Sequence, residues 1–299
     1  MKSNYIVYHA FGNKIYYQEA VYSIISYLQT NTIPVYFVVY TDDFDYFTPF
    51  EIPNLLLRKV TDQQIHEYKG KEQFIFRVKI KLLQDFFAEF EGNCLYLDTD
   101  THFFSEVGPL FNDIAAGTFF MEWPEFDLFS SSSRIAQVFQ DYFSKNGQYL
   151  DQEHRFPIQA PFQMINAGAL GMRSSEAHRL ADVLEITDLL YPKIQSHITE
   201  QFAFCYVFQY SGNPVKNSTY CVHHYWTFKE VRPIMTRFFE VHAALKAHDL
   251  IPYIDAINPS RLAAPKFAYK RLSFWQKLFQ KMKFGGRKWV IEVDLKYKP

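Results

Sequence analysis

Residues 94–104 read CLYLDTDTHFF. An unbroken apolar run, Cys94 to Leu97, stops at Asp98-Thr99-Asp100, and aromatic residues return at Phe103. A run that is apolar at every position predicts a strand covered on both faces. Working outward, YIVY at 5–8, VYFVVY at 35–40 and LLL at 55–57 read as further strands of that kind. Helical spacing appears over 16–28, and over 74–90, where Phe74, Val78, Leu82, Phe86 and Phe90 lie four apart. Strand, helix, strand, strand, helix, strand is the order of an α/β fold with a mostly parallel central sheet and helices on both faces. Downstream the pattern predicts strands over 118–121, 162–172 (broken at Asn166-Ala167-Gly168) and 220–224, with helices over 134–144, 176–190, 199–210 and 235–247.

The chain has 299 residues, enough for a large core. It has three cysteines without CxxC spacing, and Cys94 and Cys205 sit in apolar runs as core thiols. No apolar stretch is long enough to cross a membrane, and the first residues lack signal-peptide architecture. The expected setting is reducing and cytoplasmic. Residues 1–250 read as one domain, and 251–299 as a Pro-punctuated connector followed by a basic tail. The net charge of −1 hides this asymmetry: residues 266–299 carry ten Lys/Arg against two acids, a local +8 beside a body of −9.

Residues two apart in an extended chain point the same way. Asp98 and Asp100 therefore converge where open α/β sheets bind ligands, beyond the carboxyl end of a parallel strand. Two adjacent carboxylates repel unless a cation lies between them. Oxygen ligands in so small a number suit Mg²⁺ or Mn²⁺ completed by water and phosphate. A solvated acidic turn is the plainer alternative. A third reading is the aspartyl-nucleophile motif of haloacid-dehalogenase-type phosphatases, with Asp98 attacking phosphorus and Asp100 as general acid/base. That family opens its fold with the motif and needs a later acidic pair, whereas here a βαβ unit comes first and no Gly-Asp-x-x-x-Asp follows.

With YLDTDT at 96–101, the chain resembles the GT-A-fold (Rossmann-like) nucleotide-sugar glycosyltransferases, especially family 8. Thr41-Asp42-Asp43 is similar to the nucleoside-contacting segment of that fold. Asn166-Ala167-Gly168 looks like the turn beside the donor sugar. Glu200-Gln201 resembles its acidic-Gln pair. Cys221-Val222-His223-His224, followed by Lys229, looks like the segment carrying a late metal-binding His and a Lys for the diphosphate. The Gly and the Lys-Pro-Trp usual after that His are absent, so His223 and His224 both stand as metal candidates with Asp98 and Asp100.

The resemblance implies a metal-dependent hexosyltransferase taking a nucleotide diphosphate sugar, a UDP-sugar first of all, with Mn²⁺ favoured over Mg²⁺. Asn166, Glu200 and Gln201 are its catalytic candidates. Asp42, Asp43, Lys79, Asp98, Asp100, Asn166, Gly168 and Lys229 are its donor-binding candidates, Lys79 being otherwise a solvated helix residue. A turn, a bulge or a helix-dipole effect explains several of these singly; their order along the chain joins them. A binding module that keeps only the fold is the non-enzymatic alternative.

Residues 266–288 hold eight charges, all positive. Ser273 and Gln276 form a capping-box pattern, and Phe274, Trp275, Leu278, Phe279 and Met282 share one helical face. Such a helix reads as lying on an anionic membrane surface, or as docking on the acidic body. No nucleic-acid face matches it. The membrane reading points to a glycan or lipid-linked glycan acceptor, as in lipopolysaccharide or capsule synthesis, with the protein peripheral on the cytoplasmic side.

Overall fold

A computed structural model of the chain describes residues 2–151, 153 and 155–295. Among the described residues eleven strands are formed: β1 (Ser3–His9), β2 (Tyr36–Thr41), β3 (Leu55–Lys59), β4 (Gly92–Leu97), β5 (Thr101–Phe103), β6 (Phe119–Met121), β7 (Pro124–Asp127), β8 (Gln163–Ile165), β9 (Ala169–Arg173), β10 (Val215–Asn217) and β11 (Val222–His224). Seven make one sheet in the order β10-β6-β9-β4-β1-β2-β3. β3, β2, β1 and β4 run parallel, β9 runs antiparallel to β4 and β6, and β10 is parallel to β6. This is the expected mixed α/β architecture.

The unbroken apolar strands follow from two separate cores. Tyr5, Val7, Val38, Tyr40, Cys94 and Tyr96 face one, with the helices Arg77–Glu89, Arg134–Lys145, Arg179–Ile194 and Thr199–Gln209. Ile6, Tyr8, Phe37, Val39, Leu95 and Leu97 face the other, with the helices Lys14–Thr30, Gly108–Ala115 and Val231–Val241. Alternate residues of each strand thus leave the sheet on opposite sides and are buried on both.

The stretch read as a connector after residue 250 belongs to this body. Ile254, Ile257, Leu262 and Ala263 are buried in the second core, so packing runs past the expected boundary. The helix Phe274–Lys283 differs. Its capping box is made, Gly285 and Gly286 follow at positive φ, and none of its residues is buried. Ile291, Val293 and Leu295 then return to the second core. Residues 296–299, the last of the expected tail, lie outside the described residues. Among the described residues no helix is long and apolar enough to cross a membrane.

Candidate active site

Two backbone ladders meet beyond the carboxyl end of β4. β4 ends at Leu97, opposite Ala169 of antiparallel β9. The Asp98 N–H then donates to the Gly168 carbonyl (2.8 Å), which fixes the carboxylate against the Asn166-Ala167-Gly168 turn. That turn is held by Asn166 itself, whose Oδ1 accepts from Gly168 N–H (2.8 Å). Beyond the turn, β5 pairs with β11 and sets His224 opposite Thr101. The Tyr225 N–H donates to the Asp100 carbonyl (2.9 Å), closing the loop.

The result is one cluster. A ligand atom each from Asp98, Asp100 and His224 lie within 4.8 Å of one another. Two carboxylate oxygens and one imidazole nitrogen form a hard-to-borderline donor set that fits a divalent Mn²⁺ or Mg²⁺ ion. His224 Nε2 lies 3.1 Å from Asp100 Oδ1, while Nδ1 lies 2.6 Å from Glu122 Oε2. This is the carboxylate–histidine arrangement that orients metal-binding imidazoles. Gly168 makes it possible: a Cβ there would stand 2.3 Å from His224 Nδ1 and 2.9 Å from Glu122 Oε2.

Charge in the cleft is balanced residue by residue. Burial alone would raise the Asp100 carboxyl, but His224 and the Lys229 ammonium outweigh it and hold the group well below the usual carboxylate range. Burial would depress His224, yet its bonds to Asp100 and Glu122 raise it to about 10. Lys79 Nζ meets Ala167 O at 3.0 Å, Glu200 Oε1 at 2.8 Å and Asp98 Oδ1 at 3.3 Å. The first is a hydrogen bond and the other two are ion pairs, so one ammonium is shared by two carboxylates and a backbone carbonyl. The expectation of a solvated Lys79 is thereby corrected: it is buried at the wall of the cleft, and it brackets Asp98, Glu200 and the donor turn together. Tyr96 completes the bracket, its hydroxyl donating to Asp98 Oδ1 (2.6 Å).

The other sequence candidates separate by geometry. Asp42 lines the cleft, braced by Gly12 N–H (2.9 Å) and the Tyr17 hydroxyl (2.6 Å). Asp43 instead caps the short helix Phe44–Phe47, accepting from Tyr46 N–H. His223 points away from the carboxylates toward the His102 ring, 5.3 Å between centroids, and burial depresses both imidazoles. Adjacent strand residues face opposite ways, so only His224 joins the cluster. Glu200 is 2% exposed and taken up by Lys79. Gln201 Nε2 and Asn166 Nδ2 both donate to Glu125, at 2.9 and 3.0 Å.

The links of Glu122 to His224, of Glu125 to Asn166 and Gln201, and of Glu19 to Arg232 were not legible in the sequence, because they join residues 41 to 213 apart. Two cavities meet at the cluster. One, about 850 Å³, is lined by Gly12, Tyr16, Asp42, Asp98, Asp100 and Lys229 among others. The other, about 340 Å³, is lined by Glu125, Asn166, Gly168, Gln201, Trp226 and Lys229 among others. Trp226 is half exposed there.

No protein-family model matches the chain, and no curated protein matches it significantly. Among solved structures it is similar to a crystal structure of mouse xyloside xylosyltransferase 1 in its apo form, with 12% identity and a TM-score of 0.49, covering 72% of this chain and 84% of that one. At that distance the likeness carries no argument about activity.

Proposed function

We propose that this protein is a metal-dependent glycosyltransferase of the GT-A type, moving a hexose from a nucleotide diphosphate sugar to a glycan or lipid-linked glycan. The observation that carries the reading is the Asp98–Asp100–His224 cluster standing where two cavities join. The larger cavity, with Asp42 on its wall, suits the nucleoside diphosphate. The smaller, with Asn166, Gln201 and Trp226, suits the sugar and its acceptor. Asp98, Asp100 and His224 would hold a divalent ion, which would supply Lewis acidity toward a departing diphosphate, and one imidazole beside two carboxylates favours Mn²⁺. A uridine nucleotide and kinship with family 8 rest on the sequence resemblance.

The chain's own residues do the rest. Lys229 places fixed positive charge where negative charge develops as the bond from C1 to the β-phosphate oxygen breaks. Asn166 and Gln201 orient the sugar hydroxyls, and Glu125 sets which way both amides face. Glu200 acts through Lys79, holding Asp98 and the Ala167 carbonyl in place. The test is release of nucleoside diphosphate from a panel of nucleotide sugars with Mn²⁺ or EDTA. Release with Mn²⁺ alone, lost in Asp98→Asn/Asp100→Asn, supports the reading. No release from any donor, with phosphate freed from p-nitrophenyl phosphate instead, would replace it by the phosphatase reading.

The exposed helix Phe274–Lys283 bears on the acceptor. Phe274, Trp275, Phe279 and Met282 are each at least 70% exposed, with Lys277, Lys281 and Lys283 on the same helix. Aromatic residues beside lysines, with no acid from 266 to 288, complement an anionic lipid surface. Docking there would hold the protein on the surface that carries a lipid-linked acceptor.

A further inference from the structure

Beside the cleft lies a buried charge that the mechanism above does not use. Glu19, on the helix Lys14–Thr30, is fully buried. A buried carboxylate is costly unless paired. Its partner is Arg232, whose Nε lies 2.9 Å from Oε1 and Nη2 3.1 Å from Oε2. Thr99, between the two cluster aspartates, donates to Oε2 at 3.3 Å. The pair is thus tied to the loop carrying Asp98 and Asp100.

Arg232 is not spent on that pairing. Nη1 is not engaged by Glu19. The side chain is about a quarter exposed and lines the larger cavity with Lys229 and Asp100. Lys229 and Arg232 are three residues apart in one turn, with Arg232 N–H donating to the Lys229 carbonyl (3.1 Å). Both cations line the same cavity. Tyr16 lies under the guanidinium, 5.5 Å from ring centroid to Cζ. A guanidinium so braced has little rotamer freedom left to lose on binding, and its planar donors match phosphate oxygens.

We infer that Arg232, held from beneath by Glu19, is a second cationic contact for the diphosphate of the bound nucleotide, with Glu19 as its positioning residue. The inference rests on the donor-site reading. A purely structural staple between two helices is the competing role. It would lower the melting temperature on mutation but leave ligand affinity alone.

Calorimetric titration at saturating Mn²⁺ with uridine, cytidine, adenosine and guanosine diphosphates separates the two. Arg232→Lys keeps the pair with Glu19 but loses the fork. Glu19→Gln/Arg232→Gln removes the buried charge with its partner, so the fold is retained. Both are expected to weaken the best nucleoside diphosphate about tenfold, the size of one charge-assisted hydrogen bond, with Mn²⁺ titration unchanged. Either variant binding the diphosphate within about twofold of the native protein would overturn the clamp and leave the donor site standing. A native protein that binds none of the four would overturn the donor site, and the clamp with it.

Discussion

At the residue scale the site depends on one glycine and one glutamate. The His224 imidazole is locked between Asp100 and Glu122, so it has nowhere to go if a methyl group appears at Gly168, where it would stand 2.3 Å from Nδ1. Gly168→Ala should therefore cut Mn²⁺ affinity more than tenfold while the chain still folds; equal Mn²⁺ binding by calorimetry would show that the ring is not held as described. Glu122 acts on the same imidazole from its far nitrogen. Removing such a partner typically costs ten- to a hundredfold in metal affinity. Glu122→Ala should show that loss, and Glu122→Gln, which keeps an acceptor, a smaller one.

At the element scale, Glu176 ties the end of β9 to the following helix. It accepts from Arg173 (3.2 Å) and Arg179 (2.8 Å). Burial alone would raise its carboxyl, but the two guanidinium groups outweigh it and lower the pKa below the ordinary 4.5. A group depressed in the folded state stabilises the fold above its unfolded pKa and loses that contribution as pH falls through the folded value. Glu176→Gln should be less stable than native at neutral pH and converge with it in acid; parallel melting curves from neutral pH down through acid would exclude the linkage.

The elements themselves were unevenly legible. Long strands buried on both faces declared themselves, as β1, β2 and β4 do, because each holds an unbroken apolar run of at least four residues. β5, β7 and β10 are three or four residues long, too short to show a period. The Asn166-Ala167-Gly168 turn was visible as a break in an apolar run. The choice between His223 and His224 was not, since it depends on the pairing of β11 with β5.

At the scale of the whole molecule, an acidic body carries a basic, aromatic helix none of whose residues is buried. Its proposed place is an anionic surface, and that predicts a composition dependence. The protein should sediment with vesicles containing anionic lipid at low salt, bind neutral vesicles weakly, and release as salt screens the attraction. Trp275→Ser/Phe279→Ser should abolish sedimentation without changing the melting temperature, because both side chains are exposed. Sedimentation that is equal with and without those two aromatics would place the contact elsewhere.

The central claim is that the cluster at the end of β4 holds a metal and a nucleotide together. Thermal unfolding of the native chain and of Asp98→Ala/Asp100→Ala, with four nucleoside diphosphates, each with and without Mn²⁺, tests it most directly. A ligand at a hundred times its Kd stabilises the native state by about 2.7 kcal/mol, several degrees for a chain of this size. Such a rise is expected for one nucleotide only when Mn²⁺ is present, and none in the double variant. Equal rises with and without the metal, or in the double variant, would contradict it.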